Sequence, residues 1–325
     1  MSLGTAVFRL FTSRFSIIIQ AMHSFSRREF LIKTSLATAS AACAGSVLAA
    51  ATDSSRIPVV IFTKVYQPLN LGFEESASLT AEAGLNGVDS PVRPGGEILP
   101  EKAVDDLPRY AEALRKHSLT LPLLTTAILS PASPHAEDIL RAAKKLGARF
   151  YRTGFVDRHS DQPAKSQIAE FRAQLKDLAA MNKEIGIGAI VQNHSPAGHA
   201  YLGGDLNELV EIVADFDPNQ VGAAFDIGHA VKVHGDRWRE HFEKLKSHLK
   251  IAYVKDTDSR GKWVRFGQGE IGKTGYFKLL REIGYNAPIS MHIEFDWSDG
   301  DKNKTREALL KALKQSRDVL GKWLV

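Results

Sequence analysis

The chain has almost no cysteine: Cys43 is the single one among 325 residues. A disulfide framework and a cysteine-based zinc site are therefore excluded. Long apolar runs are missing as well. None reaches the roughly 18 or more uninterrupted residues of a membrane-spanning helix. A large charge of one sign is also missing from the body of the chain. The formal net charge is +5. Residues 1–51 account for most of it, with Arg9, Arg14, Arg27, Arg28 and Lys33 against Glu29. Residues 52–325 carry about +1, which gives no electrostatic case for a nucleic-acid partner. What is present is ordinary for a folded domain: 44% hydrophobic and 24% charged residues.

The N-terminal 51 residues read as an address. Ser26-Arg27-Arg28-Glu29-Phe30-Leu31 is a twin-arginine pattern, followed by Lys33 and a soft apolar stretch from Leu36 to Ala51. Ala49-Ala50-Ala51 offers a small-residue cleavage site before Thr52. That order is the order of an export signal. The expectation is a cleavable segment 1–51, an exported, periplasmic or otherwise extracytoplasmic body 52–325, and no membrane span after cleavage. A helix packed on the body is the alternative. Met22 lies just before the arginine pair and offers a second start. With Cys43 removed, the mature chain has no thiol to oxidise, which suits an oxidising compartment.

Apolar, β-branched segments recur along 52–325 at Pro58–Val65, Gly87–Val92, Leu119–Thr126, Ala148–Gly154, Gly186–His194, Gln220–Ile227, Lys250–Asp256 and Pro288–Phe295. Helix-period segments lie between them. Ile168, Phe171, Leu175 and Leu178 share one face of Gln167–Glu184, and Leu206, Leu209, Val210 and Val213 share one of Asp205–Ala214. A helix after Pro134 ends at Gly147, Pro108 is expected to kink or split Glu101–His117, and a last helix runs from about Lys302 to Leu320. Eight strand–helix alternations without a linker predict an α/β fold, a single (β/α)8 TIM barrel. An open doubly wound sheet is the alternative.

In such a barrel the active site forms at the C-terminal ends of the strands. Those ends are rich in ionisable groups here: Gln192-Asn193-His194-Ser195, Asp226-Ile227-Gly228-His229, Lys255-Asp256 and His292-Ile293-Glu294, with Arg93 and Arg152 on earlier strands. Unpaired buried charge is costly, so several such ends together suggest a site. Alternation lets Gln192, Asp226 and Glu294 converge with an imidazole such as His229. That set suits Mn²⁺, Mg²⁺, Co²⁺ or Zn²⁺. Each residue also has a structural reading. Asp226 can cap the next turn, His229 can sit at the rim, and Glu294 can pair with Lys255 or Arg152. His292 can be a core histidine, Lys255-Asp256 a rim ion pair, and Arg93 a loop residue. Gly267-Gln268-Gly269-Glu270-Ile271-Gly272 matches GxGxxG, but it neither follows a strand directly nor opens a helix in the required way. It is expected to form a glycine loop over the barrel mouth.

Taken in order, FDIGH at 225–229, VKD at 254–256, the GQGEIG stretch from 267, HIEFD at 292–296 and QNHS at 192–195 resemble the xylose-isomerase-like barrels, also called the sugar phosphate isomerase/epimerase family. The resemblance implies one divalent metal, with ligand positions matching Gln192, Asp226, Tyr253 and Glu294, and a substrate-contacting histidine at His229. Two positions depart from the family pattern, which more often has a carboxylate at 192 and a histidine at 253. It implies a metal-dependent isomerase or epimerase acting by proton transfer beside a carbonyl of a free sugar or sugar acid. Glu294 would be the base, His194, His229 or Lys255 the second acid/base, and Arg93, Arg152, Asn193 and Trp297 the substrate contacts. Trp263 and Phe266 are further candidates for apolar walls. Lyase or hydrolase chemistry on an oxidised sugar or glycoside, and a non-catalytic exported carbohydrate-binding protein, are the alternatives. The expected partner is a small carbohydrate, and a homo-oligomer is compatible with the sequence.

Overall fold

Ten strands form among the described residues, eight where the apolar runs were read and two short ones, the eighth and ninth in chain order, in addition. They are β1 (Val59–Phe62), β2 (Gly87–Val92), β3 (Thr120–Thr126), β4 (Phe150–Arg152), β5 (Gly188–Gln192), β6 (Val221–Asp226), β7 (Leu249–Val254), β8 (Asp256–Thr257), β9 (Trp263–Val264) and β10 (Ile289–Met291). The computed structural model describes residues 57–325. The twin-arginine pattern, Met22 and Cys43 lie outside the described residues. Eight strands close in the order β1-β10-β7-β6-β5-β4-β3-β2, every pair parallel, while β8 and β9 form a small antiparallel hairpin. The barrel is closed, so the open-sheet alternative falls.

The helices are α1 (Phe73–Glu82), α2 (Ala103–Lys116), α3 (Ala136–Lys145), α4 (Ala164–Ile185), α5 (Leu206–Val213), α6 (Ile227–His234), α7 (Trp238–Leu245), α8 (Tyr276–Glu282) and α9 (Arg306–Leu324). The predicted faces are the buried ones: Ile168, Phe171, Leu175 and Leu178 of α4 lie inward, and Gly186 ends that helix at φ 79°. Two expectations are corrected. Helix α2 is not split, because Pro108 sits inside one continuous helix whose Leu107, Tyr110, Ala113 and Leu114 are buried. Losing one hydrogen bond early in the helix does not outweigh a packed face. Helix α9 starts at Arg306 rather than about Lys302, since the Thr305 hydroxyl accepts the Ala308 N–H as its cap. Among the described residues no helix is long and apolar enough to cross a membrane.

Strand alternation builds two apolar layers and, above one of them, a polar layer. Tyr151, Val191, Phe225, Val254 and Met291 point outward into the shell between barrel and helices. Leu123, Phe150, Ile190, Ala224, Ile251 and Tyr253 cluster inside the barrel. Full burial of a large apolar side chain contributes roughly 1.5–3 kcal/mol, so these layers carry the fold. Two residues beyond the inner apolar layer, on the same side of each strand, stand Thr125, Arg152, Gln192, Asp226 and Lys255. The eighth barrel strand, β10, adds Ser290 and, beyond its last residue, His292 and Glu294. The polar groups thus stack on an apolar floor at the C-terminal mouth.

Candidate functional site

Asp226 is the last residue of β6 and the cap of α6, and it is fully buried. Its Oδ1 accepts the His229 backbone N–H at 3.2 Å. Its Oδ2 accepts from Gln192 Nε2 at 3.0 Å and from Lys255 Nζ at 3.1 Å. Both carboxylate oxygens are therefore engaged. Asn193 ties the same residue from the side. Its Nδ2 donates to the Asp226 carbonyl at 2.9 Å, and its Oδ1 accepts the Asp226 N–H at 2.7 Å. Both ends of the Asn193 amide hold β6, so Asn193 positions Asp226; its second N–H is the part of the amide left for a substrate contact.

Lys255 follows β7 directly and is buried. Besides Asp226 it meets His229 Nε2 at 2.9 Å. An ammonium can only donate, so Nε2 accepts and the His229 proton sits on Nδ1, which donates to Ser195 Oγ at 2.8 Å. Burial, reinforced by the Lys255 charge, holds His229 well below the usual imidazole range. The ring lies 3.8 Å from that of His194 and edge-on to Trp263 at 5.1 Å. Burial pushes His194 down to about 4. Its Nδ1 donates to the Ser195 carbonyl at 2.7 Å, leaving Nε2 as an acceptor. Gly228 makes this packing possible: a Cβ there would stand 2.6 Å from Lys255 Cγ and 3.0 Å from the Lys255 carbonyl oxygen.

Glu294 brings a carboxylate with water access to the mouth; its side chain is 27% exposed. Its two oxygens lie 3.9 Å from Lys255 Nζ and 3.9 Å from Lys64 Nζ. Lys64, just past β1, was not singled out from sequence, since a lone lysine after a short strand carries no pattern. Arg93 follows β2, is half-buried, and lies 5.8 Å from the Phe62 ring. Burial lowers its pKa, while the carboxylates of Asp89 and Glu294 oppose the change. His292 stacks on Phe62 at 4.7 Å and leans on Tyr253 at 4.6 Å. Burial keeps it far below the ordinary imidazole range, and its Nε2 has no hydrogen-bond partner.

Arg152 is buried at the end of β4. Its guanidinium donates to the Thr153 carbonyl at 2.6 Å and the Thr126 carbonyl at 3.4 Å, and lies 4.2 Å from the Phe155 ring. Burial lowers it to about 10. Phe155 in turn stacks on Tyr201 at 4.4 Å. Below them Asp89 accepts from Thr125 Oγ1 at 2.8 Å and Ser290 Oγ at 2.9 Å, and burial pushes it up to about 6. Reading only strand ends missed Asp89. Its signal was alternation within Gly87–Val92, which turns Asp89 inward.

Lys255 and Asp256 are not a rim ion pair. Lys255 turns to Asp226, whereas Asp256 accepts the backbone N–H groups of Gly267, Gly269 and Ile271 at 2.9, 3.0 and 3.1 Å. The GxGxxG match is thus a loop pinned to one carboxylate. A Cβ on Gly269 would lie 2.3 Å from Asp256 Oδ1. Trp297 and Phe266 are buried in the larger hydrophobic cluster; Phe266 stacks on Trp323 of α9 at 5.6 Å rather than facing the site, and Trp297 carries Lys304 5.3 Å from its ring. Trp263 does stand at the mouth, 5.1 Å from Lys255 Nζ.

The expected metal set does not fit these side chains. Position 192 is an amide that donates to Asp226, not a carboxylate. Tyr253 is fully buried, and burial pushes its hydroxyl well above the ordinary value, so it stays a neutral phenol and a poor ligand. Both ring nitrogens of His229 are engaged. Among the described residues no group of three or more His, Cys, Asp or Glu side chains is placed to hold a metal ion. A dication bound to Asp226 Oδ2 would have to share that oxygen with the Lys255 ammonium 3.1 Å away, two like charges on one carboxylate oxygen.

Residues 77–316 match the family model described as xylose isomerase-like TIM barrel. An uncharacterised protein of Methanocaldococcus jannaschii, MJ1311, is 31% identical over 121 residues, 36% of this chain and 40% of that relative. The match thus spans about two fifths of the curated relative's length. Among solved structures, D-psicose 3-epimerase with D-tagatose from Clostridium cellulolyticum H10 is 16% identical at a TM-score of 0.59, covering 77% of this chain and 94% of that one. The 3-keto-D-glucoside 4-epimerase YcjR from E. coli is 13% identical at 0.61, covering 81% and 100%. At these identities the structural likeness is one of fold. With the family model spanning most of the chain, the protein belongs to the xylose isomerase-like TIM barrel family.

Proposed function

We propose that the protein is a sugar isomerase that moves a proton beside the carbonyl of a free sugar acid or related sugar, with Glu294 as the base. The observation that carries this reading is the placement of Glu294: a water-accessible carboxylate 3.9 Å from two ammonium groups, in a mouth whose histidines are held neutral. Family membership and the two epimerases of this fold support the same class of chemistry. Glu294 takes the proton from carbon; the C–H electron pair becomes the C=C bond of an enediolate, and the C=O π pair moves onto the carbonyl oxygen. Return of the proton to the former carbonyl carbon, with the hydroxyl proton passing to the former carbonyl oxygen, completes the isomerisation. Gln192 cannot serve as a second base, and His229 is tied at both nitrogens. Among the described residues His194 keeps a free Nε2 in the mouth and is the second candidate proton carrier; return of the proton by Glu294 itself, on the face it was taken from, gives isomerisation rather than epimerisation.

Arg152 argues for an acid. It is buried, and its hydrogen bonds go to two carbonyls. A buried guanidinium gains from an anion. Arg93 and Lys64 add charge at the rim, and Phe155, Tyr201 and Trp263 supply apolar surface. We place the reaction after export by the twin-arginine route, where phosphorylated sugars are scarce. The amide at 192 favours a second reading, a non-catalytic carbohydrate-binding protein.

Incubating the protein in D₂O with a panel of ketoses, aldoses and sugar acids separates the two. Deuterium entering the carbon next to the carbonyl, followed by NMR, supports the isomerase. Saturable sugar binding without exchange supports the binding protein and sinks the isomerase.

A further inference from the structure

We propose that the Lys255 ammonium fills the cation position of this site, so that the protein works without a divalent metal and Lys255 polarises the substrate carbonyl. This rests on the isomerase reading above. The family resemblance calls for a metal between the ends of the fifth to eighth barrel strands, and two of the positions that would hold it carry side chains that do not suit it. The carboxylate expected at 192 is an amide that donates to Asp226 Oδ2. The imidazole expected at 253 is a buried phenol. Lys255 Nζ lies 3.1 Å from the same Asp226 oxygen, 2.9 Å from His229 Nε2 and 3.9 Å from Glu294 Oε1. These are the partners a metal would need.

Charge balance points the same way. Asp226 and Glu294 bring two negative charges; Lys255 and Lys64 bring two positive ones within 4 Å of them. No charge is left for a dication to neutralise. The donor count gives Lys255 its task. An ammonium has three N–H groups. Asp226 and His229 take two, and the third is left for a group in the mouth, beside Glu294. A carbonyl oxygen placed there receives that hydrogen bond as Glu294 removes the proton from the neighbouring carbon, and the ammonium stabilises the resulting enolate oxygen without giving up its proton. Gly228 leaves room for the lysine stem, since a Cβ there would meet Lys255 Cγ at 2.6 Å, and the Trp263 ring lies 5.1 Å from the ammonium.

The test uses metals alone. The full chain is loaded in turn with Mn²⁺, Co²⁺, Zn²⁺ and Mg²⁺ and dialysed. Its metal content is measured, with Mn²⁺ binding also followed by electron paramagnetic resonance and melting by scanning fluorimetry. The native protein is expected to retain no stoichiometric metal and to show no metal-dependent melting shift. Lys255→Arg keeps the charge and is expected to behave the same way. Lys255→Met combined with Gln192→Glu removes the ammonium and restores a carboxylate; this variant is expected to gain about one metal per chain. One metal per native chain, lost in Asp226→Asn, overturns the proposal. Should the double variant fail to fold, the native protein and Lys255→Arg decide alone. Deuterium exchange is read separately. Metal binding together with exchange removes the lysine proposal and keeps the isomerase. Absence of both exchange and metal removes the isomerase, and with it the polarising role of Lys255.

Discussion

Asp89→Asn probes a carboxyl held inside the barrel at a cost. Asp89 is fully buried, and burial outweighs its hydrogen bonds from Thr125 and Ser290 and the charge of Arg152, moving it from 3.8 to about 6. The folded chain therefore holds this proton more tightly than the unfolded chain does. Below about pH 4 both states are protonated and the carboxyl is neutral to stability. Between about pH 4 and 6 the unfolded state loses its proton first, so stability falls as pH rises. Above about pH 6 the penalty is complete. Each tenfold change in proton affinity is worth about 1.4 kcal/mol, which makes the penalty about 3 kcal/mol. The side chain is shielded from water, so solvent screening removes little of it. Asparagine has no charge to bury but satisfies one hydroxyl less well, at about 1 kcal/mol. The variant is expected to be about 2 kcal/mol more stable than the native protein near pH 8 and slightly less stable near pH 4. Urea unfolding across that range, with unchanged m-values, measures the gap. A gap independent of pH, or one that favours the native protein increasingly as pH rises, would refute the reasoning and make Asp89 a stabilising partner of Arg152.

Three further outcomes follow from the same geometry. Gly269→Ala places a Cβ 2.3 Å from Asp256 Oδ1 and is expected to cost about 1–3 kcal/mol and expose the 258–272 loop to proteolysis; an unchanged melt and cleavage pattern would contradict the pinned loop. Asn193→Ala strips the Asp226 backbone of two buried partners and is expected to lower stability by about 2–4 kcal/mol, whereas weaker sugar binding at full stability would return Asn193 to a substrate role. Arg152→Met is expected to raise KM for sugar acids at least about tenfold, as befits a lost charge-assisted contact, and to leave neutral sugars little changed; an equal effect on both classes would remove the case for an acid.

The barrel was legible because each strand is a short apolar run with a polar finish. Gly87–Val92 has the same bounds in sequence and structure. Pro58–Val65 and Pro288–Phe295 run past their strands, since pairing stops at Phe62 and Met291. A side-chain pattern does not reveal where a neighbouring strand ends. The site was legible as a set of strand ends and not as a set of partners. Lys255 stood beside Asp256 in sequence, yet its partner is Asp226, brought across by the register that sets Asp226 against Tyr253. The clamp of Asn193 on Asp226 and the hold of Asp256 on Gly267 and Gly269 are likewise tertiary. Asp89 escaped because it lies mid-strand, where an apolar residue is the usual expectation.

The central claim is that Glu294 moves a proton beside a carbonyl in this mouth. The most direct measurement is solvent deuterium incorporation into sugar acids and ketoses by chelator-treated native protein and by Glu294→Gln. Exchange by the native protein, reduced at least about a hundredfold in a variant that melts normally, is the predicted result. Equal exchange by both proteins, or none by the native protein on any sugar it binds, would contradict it.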